Sequence, residues 1–237
     1  LSADDEALIA AALAVNDRVV VSVQCGSAVV MPWADTTPAV LIRWYAGVEG
    51  GSALADVLFG VVDPGGRLPF VIPSDPKHLP DFDRDATSAR YDLFHGQWKL
   101  DRDGNEAHFP FGAGLSYTRF AIDAADWTGA GAGLEISVTN TGARRGSTVI
   151  FASAGLPASE YDRPVARLIG FIRITAEAGE TVTATIDLDW AMTDLRLEGG
   201  WVTERGDYAV SVGAYVGDPD AIRLTVPRGE DDAASRH

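Results

Sequence analysis

Side chains able to perform acid–base chemistry are numerous in this sequence, but they form no recognisable catalytic set. Eight carboxylates stand out: Asp35, Glu49, Asp56, Asp63, Asp92, Asp101, Asp103 and Glu106. General acid–base catalysis needs such groups within hydrogen-bonding reach of the reacting atoms. Spacing along the chain does not pair any two of them across a scissile bond. We therefore expect most of them to be solvated or to cap turns.

The histidines and the cysteine also lack the spacing of a catalytic or metal site. His78, His95, His108 and His237 are scattered along the chain, without the short repeats typical of zinc ligands. Cys25 is the only cysteine and follows a hydrophobic run, so we predict a buried small hydrophobe rather than a nucleophile. A lone cysteine also excludes an internal disulfide. We predict no metal and no cofactor.

A glycine-rich segment could bind an anion, because backbone amides at the start of a helix attract negative charge. Residues 47–51 read GVEGG. They lack the lysine of a phosphate-binding loop and the glycine spacing of a dinucleotide site. We therefore predict that these glycines allow close backbone packing.

The elements that would position these groups begin with an alternation of helix and strand over residues 1–72. Ser2 and the acids after it predict the start of a helix. Strands are predicted at residues 18–24, 28–33 and 39–44. A second helix is predicted over residues 52–59, which together indicates part of a parallel sheet. A typical sheet has about five or six strands, and only three are predicted here. Residue 1 is Leu rather than an initiator Met. We therefore expect the chain to start inside a domain.

The pattern changes twice more along the chain. Residues 73–117 are rich in proline and aromatic residues, which predicts an ordered interdomain connector packed on its neighbours. Residues 118–228 show short alternating strands, which predicts an immunoglobulin-like β-sandwich. Residues 229–237 form a polar tail. The predicted fold class is thus multidomain, α/β followed by all-β.

The net charge limits the choice of partners. The sequence has 34 acidic and 19 basic side chains, a net charge of −15. Such a field repels phosphate backbones and anionic lipids. No apolar run approaches the 18 or so residues of a membrane span. We predict neither a nucleic-acid partner nor a membrane partner.

Two long motifs resemble one enzyme family. Residues 47–70 read GVEGGSALADVLFGVVDPGGRLPF, and residues 109–118 read FPFGAGLSYT. Both are similar to motifs of glycoside hydrolase family 3, the β-glucosidase family, in the later part of its α/β sandwich domain and just beyond it. The segment VVMPWAD at residues 29–35 fits the strand that leads into the first motif.

Shorter motifs extend the resemblance towards the C-terminus. They are NTG at residues 140–142, Arg163-Pro164, LIGF at residues 168–171 and GE at residues 179–180. Their order resembles that of the family's fibronectin type III-like domain. The resemblance covers nearly the whole chain, from about residue 4 to residue 226. It implies the C-terminal part of an α/β sandwich followed by a fibronectin type III-like β-sandwich.

The resemblance implies retaining hydrolysis of terminal non-reducing β-D-glucosyl residues. In that mechanism one carboxylate is the nucleophile and another is the acid/base. In the family an Asp on a barrel is the nucleophile and a Glu on an upstream loop is the acid/base, so neither is expected in this chain. Glu49 matches a family residue at a helix start, not the acid/base. The expected partner is a barrel-containing N-terminal segment of the same protein as a separate chain, and this chain alone should be inactive.

One segment departs from the family pattern. Residues 91–101 read YDLFHGQWKLD where the family commonly reads EGxxxGYRxxD, so Gln97 and Trp98 replace Tyr and Arg. Connectors of this kind can approach the pocket mouth in the family. His95, Gln97 and Trp98 are therefore candidates for contact with the aglycone, because an amphipathic indole suits stacking. The structural alternative is interdomain packing.

Three further readings stay open. The substrate could be a β-xyloside or a glycosylated terpenoid or phenolic compound. The chain could instead be a non-catalytic carbohydrate-binding or scaffold fragment, since a fold alone does not establish function. Localisation is open between the cytoplasm and secretion from a bacterial cell.

Overall fold

The structure is a computed structural model that describes residues 1–129 and 133–229. The predicted tail at 229–237 lies almost entirely outside the described residues. Among the residues described, no helix is both long enough and apolar enough to cross a membrane.

The first helix, α1, spans Ala3–Val15 and begins where the sequence predicts. The backbone amide of Asp5 donates to Oγ of Ser2 at 3.2 Å, and the amide of Ser2 donates to the Asp5 carboxylate at 3.1 Å. This reciprocal capping box satisfies two amides that the first helical turn leaves unpaired. Asp4, Asp5 and Glu6 stand in the first turn, where the helix dipole favours negative charge.

A two-stranded parallel sheet and a second helix complete the α/β part. Strands β1 (Val20–Val23) and β2 (Ala39–Ile42) pair in parallel, and helix α2 spans Gly50–Leu58. The predicted strand at residues 28–33 is wrong. That stretch is irregular and ends in a turn, in which the Ala34 amide donates to the Met31 carbonyl at 3.0 Å. Met31 is fully buried beside Val23, so burial rather than strand pairing explains the apolar run.

The connector is ordered and has secondary structure of its own. Strand β3 (Ile72–Pro73) pairs antiparallel with β4 (Ala107–Phe109), and helix α3 (Gln97–Asp103) lies between them in sequence. Gly96 and Gly104 flank α3 with φ angles of +56° and +68°, which side chains other than glycine rarely adopt. The expected packing of the connector's aromatic residues is uneven: Phe94 is buried, whereas Phe82 and Tyr91 are exposed.

The C-terminal part is a sandwich of two antiparallel sheets. Its strands are β5 (Phe120–Trp127), β6 (Leu134–Asn140), β7 (Gly146–Gly155), β8 (Arg167–Ala176), β9 (Thr181–Ile186), β10 (Leu195–Leu197), β11 (Gly200–Val202), β12 (Gly206–Gly213) and β13 (Ile222–Arg228). One sheet has the order β5-β6-β9 and the other β13-β12-β7-β8, while β10 and β11 form a separate hairpin. The inward residues alternate along β6 and β12, as in fibronectin-like sandwiches.

The core of the sandwich lies between the two sheets. Leu134, Ile136 and Val138 of β6 face Tyr208 and Val210 of β12 in one buried cluster. All five are at most 1% exposed. The predicted fold class, an α/β part followed by an all-β sandwich, is confirmed.

Candidate functional site

The three residues predicted to contact an aglycone lie at the start of α3, and the structure brings two of their rings together. The His95 and Trp98 rings make an edge-to-face contact with centroids 5.7 Å apart. The guanidinium of Arg167, on β8 of the sandwich, lies over the Trp98 ring at 5.0 Å. Trp98 is therefore half-buried between the connector and the sandwich, and His95 is exposed.

Gln97 is held by hydrogen bonds on both ends of its amide. Its Nε2 donates to the Asp101 carboxylate at 2.8 Å, and its Oε1 accepts the backbone amide of Phe111 at 3.2 Å. Desolvation raises the pKa of Asp101, and the hydrogen bond from Gln97 opposes that rise. Gln97 thus fixes α3 against the segment that carries the second family-like motif.

The other carboxylates singled out in the sequence do not form a catalytic pair. Five of the eight contact a base, an amide or a hydroxyl: Asp35 with His108, Asp63 with Ser116, Asp92 with Arg102, Asp101 with Gln97 and Asp103 with Lys99. Glu49 precedes α2 at the N-cap position without a side-chain capping bond. Within residues 1–129 and 133–229, no group of three His, Cys, Asp or Glu side chains could hold a metal ion.

The two long motifs meet at the junction between the α/β part and the sandwich. The Asp63 carboxylate accepts the Ser116 hydroxyl at 2.7 Å, the Tyr117 amide at 2.8 Å and the Ser147 amide at 3.0 Å. Burial acts to raise the pKa of Asp63, but these hydrogen bonds and the nearby Arg67 outweigh it, and the net pKa lies below the ordinary value. Asp63 therefore stays ionised and joins three segments.

Arg67 makes the second set of junction contacts. It donates to the Thr148 hydroxyl at 3.0 Å and to the Leu115 carbonyl at 3.3 Å. Close backbone approach is required beside it: a Cβ on Gly114 would lie 2.5 Å from the Gly66 carbonyl oxygen. The motifs at residues 47–70 and 109–118 thus serve the junction.

The close packing predicted for the glycines of residues 47–51 is found at Gly50, where a Cβ would lie 2.8 Å from that of Ala46. It is wrong for Gly47 and Gly51, where a Cβ would meet nothing within 4 Å.

The short motifs of the C-terminal part are structural as well. Asn140 is fully buried, and its side chain accepts the Thr118 hydroxyl at 2.6 Å and donates to the Ala176 carbonyl at 3.0 Å. Arg163 donates to Glu204 at 2.6 Å and to the Thr193 carbonyl at 2.6 Å. Both residues hold loops to the sandwich.

Arg102 makes a contact between the connector and the sandwich that the sequence did not predict. Arg102 of α3 pairs with Asp162 at 2.9 Å, and its guanidinium lies 3.8 Å from the centre of the Phe94 ring. Asp162 belongs to the loop between β7 and β8, 60 residues further along the chain. No local pattern pairs residues so far apart, although Asp162 directly precedes the Arg163-Pro164 motif.

Comparison with known proteins places these elements in one family. Residues 1–117 match the family model described as the glycosyl hydrolase family 3 C-terminal domain, and residues 153–216 match that of the fibronectin type III-like domain. The chain is 35% identical over 243 residues to probable beta-glucosidase J of Aspergillus fumigatus, covering 93% of this chain and 28% of that protein. It is 36% identical over 233 residues to beta-glucosidase B of Emericella nidulans, covering 89% and 28% respectively.

A solved structure agrees with these similarities. The beta-glucosidase of Kluyveromyces marxianus in complex with glucose superposes with a TM-score of 0.86 at 33% identity, covering 96% of this chain and 29% of that one. The chain thus spans a little over a quarter of the length of these relatives. It belongs to glycoside hydrolase family 3, as a C-terminal domain of that family with a fibronectin type III-like domain after it.

Proposed function

We propose that this chain is the C-terminal portion of a retaining β-glucosidase-like glycoside hydrolase that cleaves terminal non-reducing β-D-glucosyl residues. The observation that carries the proposal is the similarity of almost the entire chain to proteins named as beta-glucosidases, of which it spans 28%. The names of these relatives favour a β-glucoside over a β-xyloside.

The catalytic carboxylates are proposed to lie in the part of the longer relatives that this chain does not span. Retaining hydrolysis needs two carboxyl groups about 5–5.5 Å apart. The carboxylates of α3 and the junction are instead bound to bases, amides and hydroxyls. A barrel-containing segment, as a separate chain, would supply the nucleophilic Asp, and an upstream α/β segment would supply the acid/base Glu.

Exposed apolar side chains on the α/β part support such a partner. Val48, Phe59, Tyr45, Val61 and Leu8 are each more than 70% exposed. Contiguous exposed apolar surface is typical of a protein interface, and a partner that covers residues 8–61 would contact all five side chains. Burying them against the barrel-containing segment would remove this apolar area from water.

His95, Gln97 and Trp98 stay candidates for contact with the aglycone. Trp98 is half-buried under the Arg167 guanidinium, and exposed His95 contacts its ring. In the reconstituted enzyme, Trp98→Ala is expected to change the ratio of kcat/KM values for aryl and alkyl β-glucosides. An unchanged ratio with a lowered melting temperature would assign Trp98 to interdomain packing alone.

The proposed function is tested by reconstitution. The 237-residue chain alone should not hydrolyse p-nitrophenyl β-D-glucoside. Coexpression with an N-terminal segment of a family member that contains both the barrel and the upstream α/β segment should restore hydrolysis with retention of anomeric configuration. Full activity in a sample whose intact mass shows only the 25.1 kDa chain would contradict the proposal. Glycan binding without turnover in the reconstituted complex would favour a carbohydrate-binding scaffold instead.

A further inference from the structure

A cavity of about 580 Å³ lies in the connector, between the segment at residues 80–94 and helix α3. Its volume falls within the roughly 300–1,000 Å³ typical of small-molecule sites. Tyr91, Phe94 and Arg102 line it, whereas His95, Gln97 and Trp98 do not. The cavity is therefore a feature separate from the three residues that the sequence singled out in the same segment.

The charges around the cavity balance. Three bases and three acids line it: Arg90, Lys99, Arg102, Asp81, Asp92 and Asp103. Lys99 pairs with Asp103 at 2.6 Å, and Arg102 lies 3.8 Å from Asp92. Exposed Arg90 and Asp81 add one further charge of each sign. The lining therefore offers both hydrogen-bond donors and acceptors and no excess of either charge, which suits a neutral ligand with many hydroxyl groups.

The cavity also presents an apolar platform. The Tyr91 side chain is 53% exposed at the cavity wall. An aromatic ring with a polar end suits a ligand that has one apolar face and a polar rim, as a pyranose ring has. Phe94, by contrast, is buried beneath the Arg102 guanidinium and shapes the wall.

The wall of the cavity is braced from two sides. Arg102 pairs with Asp162 of the sandwich at 2.9 Å, and the Phe94 amide donates to the Asp92 carboxylate at 2.8 Å. These contacts hold Arg102 and Asp92 in the wall, so the shape of the cavity is set before a ligand arrives.

We propose that this cavity binds a neutral saccharide, with Tyr91 as the stacking platform and Arg90 and Asp81 as hydrogen-bonding groups for ring hydroxyls. The inference does not depend on hydrolysis, because no catalytic residue is assigned to this chain and binding can be measured without turnover.

The test is saturation-transfer difference NMR and isothermal calorimetry on the 237-residue chain with cellobiose and D-glucose as probes. We expect millimolar or tighter binding of cellobiose, weakened at least about five-fold by Tyr91→Ala and largely retained by Tyr91→Trp. Phe82→Ala is the control, since Phe82 is an exposed aromatic residue of the same connector outside the cavity lining. It should leave binding unchanged.

Three outcomes would overturn the inference: no binding of either neutral sugar, equal binding by the Tyr91→Ala variant, or tighter binding of glucuronate or glucosamine than of glucose. Far-ultraviolet circular dichroism of each variant excludes misfolding as the cause of a loss. Failure of reconstituted hydrolysis with Tyr91-dependent binding intact would contradict only the proposed function. Successful hydrolysis without Tyr91-dependent binding would contradict only the cavity proposal.

Discussion

The carboxylate of Asp63 accepts the backbone amide of Ser147 at 3.0 Å, although 84 residues separate them in the chain. Asp63 lies at the end of the α/β part and Ser147 at the start of β7, so one side chain fixes the sandwich against the preceding domain. The same carboxylate also binds Ser116 and Tyr117 in the second motif. One carboxylate thus joins three segments at the junction.

Replacing Asp63 should loosen this junction. In Asp63→Asn one acceptor oxygen becomes an amide nitrogen, which leaves at least one backbone N–H without an acceptor. Since hydrogen bonds to charged groups are worth about 1.5–3 kcal/mol, we expect a loss of about 2 kcal/mol in the free energy of unfolding, measured by urea denaturation. Asp207→Asn, at an exposed position on β12, is the control and should change it by less than about 0.5 kcal/mol. Equal effects of the two substitutions would contradict this role.

The stability of the chain should fall in acid. Burial acts to raise the pKa values of Asp63 and Glu204, but hydrogen bonds outweigh it and lower both below their ordinary values. An acid with a lowered pKa in the folded state stabilises the fold above its unfolded pKa, and this contribution is lost as the pH falls through the folded pKa. Unfolded values are about 3.9 for Asp and 4.3 for Glu.

We therefore expect the melting temperature to drop as the pH is lowered from about 5 to 3. The double variant Asp63→Asn, Glu204→Gln should be less stable at neutral pH and should show a shallower drop. An equal drop in melting temperature with pH for the original chain and the double variant would show that other groups control the loss of stability in acid.

Two adjacent glycines offer a sharp test of backbone packing. A Cβ on Gly65 would collide with the Ser147 hydroxyl and come within 2.9 Å of its carbonyl oxygen, whereas a Cβ on Gly66 would meet nothing within 4 Å. Overpacking of this kind costs about 1–3 kcal/mol. Gly65→Ala should lower the free energy of unfolding by that amount and Gly66→Ala should not. Equal free energies of unfolding for the two variants would show that the close approach of Gly65 to Ser147 does not limit the stability of the junction.

The buried ion pair between Arg228 and Asp194 should contribute strongly to the stability of the sandwich. Its buried guanidinium donates to Asp194 at 3.0 Å and to the Thr193 hydroxyl at 2.7 Å. Removing one partner leaves an uncompensated buried charge, which costs about 3–5 kcal/mol. Arg228→Met should show this loss in thermal denaturation. Arg223→Met on the same strand, where the side chain is exposed, should show little change.

The contact between Trp98 and Arg167 can be measured by a double-mutant cycle. A cation 5.0 Å above an indole ring contributes about 0.5–1 kcal/mol at a partly exposed site. Trp98→Ala and Arg167→Met should therefore show a coupling energy of that size in urea unfolding. A second cycle with Trp98→Ala and Arg173→Met is the control, since Arg173 lies on β8 like Arg167. A Trp98–Arg167 coupling energy no larger than that of the control cycle would contradict packing of the connector on the sandwich through this pair.

The sequence predicted the local features of this protein because they depend on neighbouring residues. Ser2 with its following acids predicted the start of α1. The motifs at residues 47–70 and 109–118 identified the family. The predicted strand at residues 28–33 was wrong because the same apolar residues can be buried in an irregular segment.

What depends on distant residues was decided by the tertiary structure alone. Only the folded chain brings Asp63 to Ser147, Arg102 to Asp162 and Arg167 to Trp98, because each pair is separated by 60 or more residues. The cavity beside Tyr91 arises in the same way, since its walls come from the two sides of a folded connector. The sequence named the elements and the family, and the packing of the connector on the sandwich determined which side chains meet.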